Sequence, residues 1–403
     1  MSLMPFYEAR ERSLARVKPV EARERVPLRQ ALGRVLAAPV HAQINVPNHD
    51  NSAMDGYAVR LEDLAPQGET VLNVAGVVAA GAQASGRLAP GQALRIFTGA
   101  PIPTGCDCVV IQEVVTGNGD RVVVPAGQRR GQHIRRAGQD IAKGDEVFAA
   151  GRRLGPAEIG MLTSLGFAEV EVFRKLRVAV LSTGNEVFEP GEAIVPGQLY
   201  DSNRATLIAA LTLLGVEVID LGIARDVREQ IEAVLRRGAA EADVVLSSGG
   251  VSVGDFDLVK DVINELGAID FWKVRMKPGK PQAHGRLGEA EFFGLPGNPV
   301  SVMATYLLLV RPALLVMMGT DPGAQKEFLL PYRGVPIDKR HDRAEFARGI
   351  IHYTGADMHV TSTGAQGSGI LSSMTAANAF IMLPEAPTLV EDGDLVTVIP
   401  IEY

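Results

Sequence analysis

Arg177–Glu186 reads RVAVLSTGNE, Asp243–Asp257 reads DVVLSSGGVSVGDFD, and Glu291–Pro299 reads EFFGLPGNP. Each is an apolar strand that runs into a glycine-bearing loop ahead of a helical stretch. Three repeats of strand, loop and helix predict a parallel sheet with helices on both faces. Ligands of such sheets bind beyond the carboxyl ends of the strands, where glycines admit the backbone and helix N-termini offer N–H groups to anions. Glu186, Asp255 and Asp257 stand in the same loops. Amides that take an anion beside acids that take a hard cation point to a polyphosphate with Mg2+ as the ligand class.

Working outward from those loops, RATLIAALTLLG, VREQIEAVLRRGAAE and LVKDVINELG supply helices, and VEVIDLG and FWKVRM supply further strands, giving an α/β domain over 176–322. Residues 47–138 hold short valine-rich strands separated by glycine and proline, the pattern of an inserted small β domain. On either side, a helix from Pro5 to Val17, an amphipathic helix in EARERVPLRQALGRVLAAPV, and helix-forming sequence in AGQDIAKGDEVFAAGRRLGPAEIGMLTSLG suggest a discontinuous helical domain, 1–46 plus 139–175. Residues 323–403 return to strands and turns as a C-terminal β domain. The expected fold class is multidomain α/β, with a doubly wound, mostly parallel sheet at its centre.

The composition narrows the function classes. The 403 residues are 46% hydrophobic and 22% charged, which suits several soluble domains. A formal net charge of −7 provides no basic field for nucleic acid, although Arg129, Arg130, Arg135 and Arg136 form a local cluster suited to a small anion. Two cysteines, Cys106 and Cys108, exclude a disulfide framework and lack the spacing of a metal site. The longest apolar run, VSVMATYLLLVRPALLVMMG, is interrupted by Arg311 and Pro312 and reads as a buried helix, not a membrane span. A cytoplasmic location is expected.

Several residues have a structural and a chemical reading side by side. Asp226 opens DVRE with Glu229 three residues on, which satisfies a helix-capping box without any ligand. Asp257 could cap the next helix, but it follows SSGGVSVGD, whose small residues can build an anion nest. In FWKVRMKPGKP, strand alternation puts Lys273, Arg275 and Lys277 on one face, and the turn presents Lys280. That basic row is either an exposed edge or a clamp for a phosphate ester. In LPGNPVS, Gly297 provides an unusual backbone conformation, Asn298 caps, and Pro299 opens the helix. Asp55 before Gly56 reads locally as a turn residue. No HExxH or Walker motif is present, which excludes the corresponding hydrolases.

Taken in order, NSAMDGYAV, IFTGAPIP, RRAGQDI, LSTGNE, YDSN, SSGGVSVGDFD, FWKVRMKPGKP, GLPGNPVS, EFARG and the GSGILSS segment resemble the MoeA family of molybdopterin molybdenumtransferases over nearly the whole chain. The α/β segment alone is similar to the MogA adenylyltransferases. The resemblance implies that adenylylated molybdopterin is bound and cleaved with release of AMP, and that molybdenum from molybdate is placed on the dithiolene, with Mg2+ as cofactor. It also implies a homodimer and an upstream MogA-like adenylyltransferase, with no nucleic acid and no membrane as partners. Two other readings are adenylyl transfer to molybdopterin itself and a scaffold similar to the E domain of gephyrin.

Carried over motif by motif, the resemblance implies a catalytic set of Asp55, Asp140, Glu186, Asp226 and Asp257, with Glu186 and Asp257 on the metal. The implied substrate-binding set is Thr98, Gly249, Gly250, Ser252, Lys273, Lys277, Lys280, Pro296, Gly297, Asn298, Arg348 and Ser368. The family commonly carries Asp where this chain has Asn185, and Glu where it has Asp255.

Overall fold

The strand Arg177–Thr183 is buried at every position after its first, so helices must cover both of its faces. A computed structural model, which describes residues 3–81, 87–250, 258–355 and 357–403, bears this out. The six-stranded sheet runs 217–224, 177–183, 244–248, 290–295, 281–287, 267–273, with its first four strands parallel and its last two antiparallel. On one face Val178, Val180 and Leu246 pack with Leu207, Leu211 and Leu314. On the other, Ala179, Leu181 and Val245 pack with Ile231, Leu235 and Ile263. Alternate residues of one strand thus feed two cores, and the doubly wound arrangement follows.

Local chemistry fixes the helix ends. Asp201 caps Ser202–Leu214 by accepting the Arg204 N–H at 3.0 Å, and it also takes the Ser182 hydroxyl at 2.9 Å. The helix stops at Gly215, whose φ of 91° suits glycine. The long apolar helix Pro299–Met317 has a mean hydropathy of 1.9 and is 83% buried, as a core helix should be. Its middle turn, Tyr306–Val310, widens to π geometry just before Pro312, which has no N–H to give the preceding turn.

The chain divides into two units, Met1–Glu24, Gly33–Ala37 and Glu171–Tyr403 in one, Arg25–Leu32 and Ala38–Val170 in the other. The first also holds the helix Phe6–Arg16 and a C-terminal sheet in the order 276–277, 344–354, 379–383, 395–400, 328–331. The second holds the valine-rich sheet in the order 108–111, 56–59, 92–96, 69–78, 121–125, 116–118. Cys108 packs there among Val59, Leu72 and Val110, and burial pushes its thiol up to about 11 and that of Cys106 to about 12.

Four local expectations differ from the structure. The stretch expected as a helix after Glu21 is instead a strand, Arg23–Pro27, followed by a 3-10 turn, Leu28–Gln30, because proline biases the residue before it toward extended backbone. Of the helix-forming sequence after Gly138, only Pro156–Ser164 is helical; Gly138, Gly144 and Gly151 have φ of 73°, 98° and 84° and turn the chain. The strand Pro281–Leu287 was not expected, since His284 and Gln282 break its apolar run; both are buried. The basic strand is broken: Gly267–Lys273 ends in the α/β sheet, and Met276–Lys277 joins the C-terminal sheet.

Gly238 lets the helix Arg228–Glu241 lie directly on the sheet, since a Cβ there would come 2.9 Å from Leu221 and 3.2 Å from Val245. Gly238→Val should cost about 1–3 kcal/mol by overpacking. Urea denaturation measures this, and an unchanged midpoint would contradict the packing.

Candidate functional site

The carboxyl ends of all four parallel strands open into one cleft of about 1270 Å3. Thr183, Gly184 and Glu186 come from the first strand, Asp226 from its neighbour, Gly249 and Gly250 from the third, and Pro296, Gly297 and Asn298 from the fourth. The C-terminal sheet side contributes Lys277, Lys280, Arg343, Gln366, Gly367 and Ser368. Two carboxylates, Glu186 and Asp226, thus share one cleft with three cations, Lys277, Lys280 and Arg343.

Asp226 does not cap a helix. Val227 holds the N-cap position of Arg228–Glu241 without a side-chain bond. The Asp226 carboxylate instead accepts the Asn185 N–H at 3.3 Å, while the Asn185 side-chain oxygen accepts the Asp226 N–H at 3.1 Å. Arg225 tightens the same loop by donating to the carbonyls of Val187, Asn185 and Gly184 at 2.7, 3.2 and 3.4 Å, with its guanidinium 4.6 Å from the Phe188 ring. Nothing in the sequence reading marked Arg225, because its partners are backbone atoms. Gly184, at φ 134°, leaves room for Glu186; a Cβ at 184 would come within 2.6 Å of that carboxylate.

Gly249 and Gly250 have φ of 88° and 69°, and a Cβ on Gly250 would meet Val259 at 2.4 Å. The Gly249 N–H is already given to the Leu295 carbonyl at 3.1 Å, so this amide is not part of an open nest. Ser252, Asp255 and Asp257 lie outside the described residues. Gly297 corrects another expectation: its φ is not left-handed, and no atom lies within 4 Å of where its Cβ would be. The glycine keeps the cleft open instead of making a special turn. Its carbonyl accepts the Asn203 amide at 2.7 Å. Asn298 stands at the N-cap of the long helix but makes no side-chain cap bond, which leaves its amide to the cleft.

Lys273 and Arg348 are not among the cleft's lining residues. The Lys273 carbonyl takes the Met4 N–H at 2.9 Å at the end of its strand. Arg348 is 1% exposed, with donors committed to Ser373 Oγ at 3.0 Å and the Gly367 carbonyl at 3.1 Å. Burial lowers its pKa. It supports the Gln366–Ser368 loop from behind, and Ser368 in turn accepts the Val300 N–H at 3.1 Å, tying that loop to the start of the long helix. Arg343 and Gln366 escaped sequence reading, since both lie in polar loops without a motif.

Asp55, Thr98 and Asp140 belong to the other unit. Thr98 gives its N–H and hydroxyl to the Asp55 carboxylate at 2.7 and 2.8 Å, and these bonds hold Asp55 below the usual carboxylate range. Asp140 is exposed, with its N–H on the Val46 carbonyl at 3.0 Å.

Fold and site together define a multidomain α/β protein with a charged cleft at the strand ends. Three family models match in sequence: the MoeA N-terminal region (domain I and II) over 4–166, a probable molybdopterin binding domain over 179–316, and the MoeA C-terminal region (domain IV) over 334–401. A molybdopterin molybdenumtransferase of Haemophilus influenzae is 40% identical over 100% of this chain and 99% of its own. Molybdopterin molybdenumtransferase 2 of Mycobacterium tuberculosis is 38% identical over 89% and 90%. A crystal structure of the molybdopterin biosynthesis MoeA protein from Pyrococcus horikoshii aligns with a TM-score of 0.86 at 31% identity, over 99% of this chain and 100% of that one. The chain belongs to the MoeA family of molybdopterin molybdenumtransferases, transferase enzymes of molybdenum cofactor biosynthesis.

Gly184→Ala should force Glu186 out of its place, because both the backbone conformation and the carboxylate oppose a Cβ there. Molybdenum transfer should fall at least about tenfold while the fold persists. Wild-type turnover with Glu186 unmoved in a crystal structure of the variant would contradict this.

Proposed function

We propose that the cleft binds adenylylated molybdopterin, that its phosphoanhydride is cleaved there with release of AMP, and that molybdenum from molybdate is placed on the dithiolene. The observation that carries this reading is the convergence of Lys277, Lys280 and Arg343 with Glu186 and Asp226 on one cleft. Ammonium and guanidinium groups stabilise charge as it moves onto the leaving molybdopterin phosphate, and a preorganised site does so with little rearrangement. The bond broken lies between the AMP phosphorus and the bridging oxygen. Attack by water on that phosphorus gives AMP directly, whereas attack by a molybdate oxygen gives an adenylyl molybdate that frees AMP when the dithiolene sulfurs displace it from molybdenum; in both cases the pterin-side phosphate leaves with the bridging oxygen.

Mg2+ is the expected cofactor, and the residues present fit it. Glu186 and Asp226 offer hard oxygen donors to the same space, and among the described residues no three acidic, His or Cys side chains converge to form an all-protein cage. Mg2+ usually takes one or two carboxylates and completes its shell with water and substrate phosphate. When bound, it supplies charge neutralisation on the anhydride. Glu186 and Asp226 are the residues that would hold it. Asp257, also assigned to the metal by the family resemblance, lies outside the described residues.

A homodimer, a cytoplasmic location and supply of substrate by a MogA-like adenylyltransferase complete the reading. Incubation with adenylylated molybdopterin should release AMP in a molybdate-dependent way. Pyrophosphate and adenylylated molybdopterin formed from ATP and molybdopterin would instead indicate adenylyl transfer. Lys277→Ala should weaken substrate binding about tenfold, and the remaining affinity should depend less on salt. Unchanged affinity across a salt titration would remove Lys277 from the clamp.

A further inference from the structure

Lys277 has a partner that the sequence did not suggest. The short strand Met276–Lys277 pairs in parallel with Ala344–Thr354, and the register sets Lys277 opposite Glu345. The Lys277 ammonium lies 2.9 Å from Glu345 Oε1. The lysine side chain is 36% exposed and the glutamate only 8%, so one member of the pair reaches the cleft and the other anchors it from beneath.

The anchor is itself fixed. His341 Nε2 lies 2.9 Å from Glu345 Oε2, and His341 Nδ1 accepts the Arg343 N–H at 3.4 Å. That bond assigns the imidazole hydrogen to Nε2, which donates to Glu345. Burial outweighs the attraction of Glu345 and lowers the His341 pKa, which keeps the ring neutral. The ammonium of Lys339, a residue only 3% exposed, donates to the carbonyls of His341, Glu385 and Ala386 and pins the segment from which His341 projects. Both oxygens of Glu345 are thereby committed. The carboxylate cannot turn away, and one ammonium hydrogen of Lys277 is always spoken for.

We infer that Glu345 is a positioning residue for substrate: buried and held by His341, it fixes the Lys277 ammonium at the cleft wall, where its two remaining hydrogens, taken by none of the described residues, are left for a phosphate oxygen. A free lysine stem would surrender rotamer entropy on binding, whereas this one has surrendered it during folding. The inference rests on the proposed function, because it presumes that Lys277 meets the substrate.

A double-mutant cycle with adenylylated molybdopterin tests it. Glu345→Gln preserves shape and should raise Kd and KM about tenfold, the worth of one charged hydrogen bond, with kcat changed less than about twofold. In a Lys277→Ala background, Glu345→Gln should change Kd no further. If the Gln variant does not fold, Glu345→Asp, which keeps the charge but shortens the reach, should also raise Kd. Unchanged Kd in a folded Glu345 variant, or additive losses in the cycle, would overturn the positioning role while leaving the function intact. Failure of the wild-type protein to bind the ligand, or to release AMP, would instead overturn the functional reading and this inference with it.

Discussion

The rest of the structure depends on the burial of the parallel ladder on both faces. Val178 and Val180 belong to one core, Ala179 and Leu181 to the other, and this leaves the strand no freedom to slip by a residue. Because the ladder cannot shift, its four carboxyl ends stay level, and the loops that leave them must turn sharply toward the helices. The glycines at 184, 249 and 250, all at positive φ, are the means of turning. What stands at the turns is then placed with little tolerance, which electrostatic recognition of a phosphate needs.

Charge in the cleft is organised by commitment as much as by proximity. Arg348, Arg225 and Lys339 spend their donors on neighbouring carbonyls and side chains and hold loops in place. Lys277 and Asn298 face the cleft with donors to spare among the described residues. A cation near the site can therefore serve the ligand or serve the scaffold. The difference appears in hydrogen-bond partners, not in residue type.

That distinction explains how much could be read beforehand. Strand-loop-helix alternation made the doubly wound sheet legible, and the loops at Glu186, Gly249 and Asn298 were found because glycine and proline punctuate the chain where the backbone turns. The C-terminal sheet and the valine-rich sheet were visible from their short alternating strands. Alternation in FWKVRMKPGKP was also real, since Trp272, Val274 and Met276 are all buried. It could not reveal that the chain changes sheets between Lys273 and Met276, because side-chain period is the same in both. Arg348 was assigned to substrate on family resemblance, yet a guanidinium that is 1% exposed reads in sequence like any other. Glu345 and His341 lay hidden for a related reason: their partnership with Lys277 spans about seventy residues and exists only through strand register.

A crystal structure of the protein with adenylylated molybdopterin bound would test the central claim most directly. The account predicts the phosphoanhydride at the carboxyl ends of the parallel strands, with a phosphate oxygen within about 3.2 Å of the Lys277 ammonium and that ammonium still on Glu345. A ligand seated elsewhere, or a bound anhydride with Lys277 turned away from it, would contradict the account.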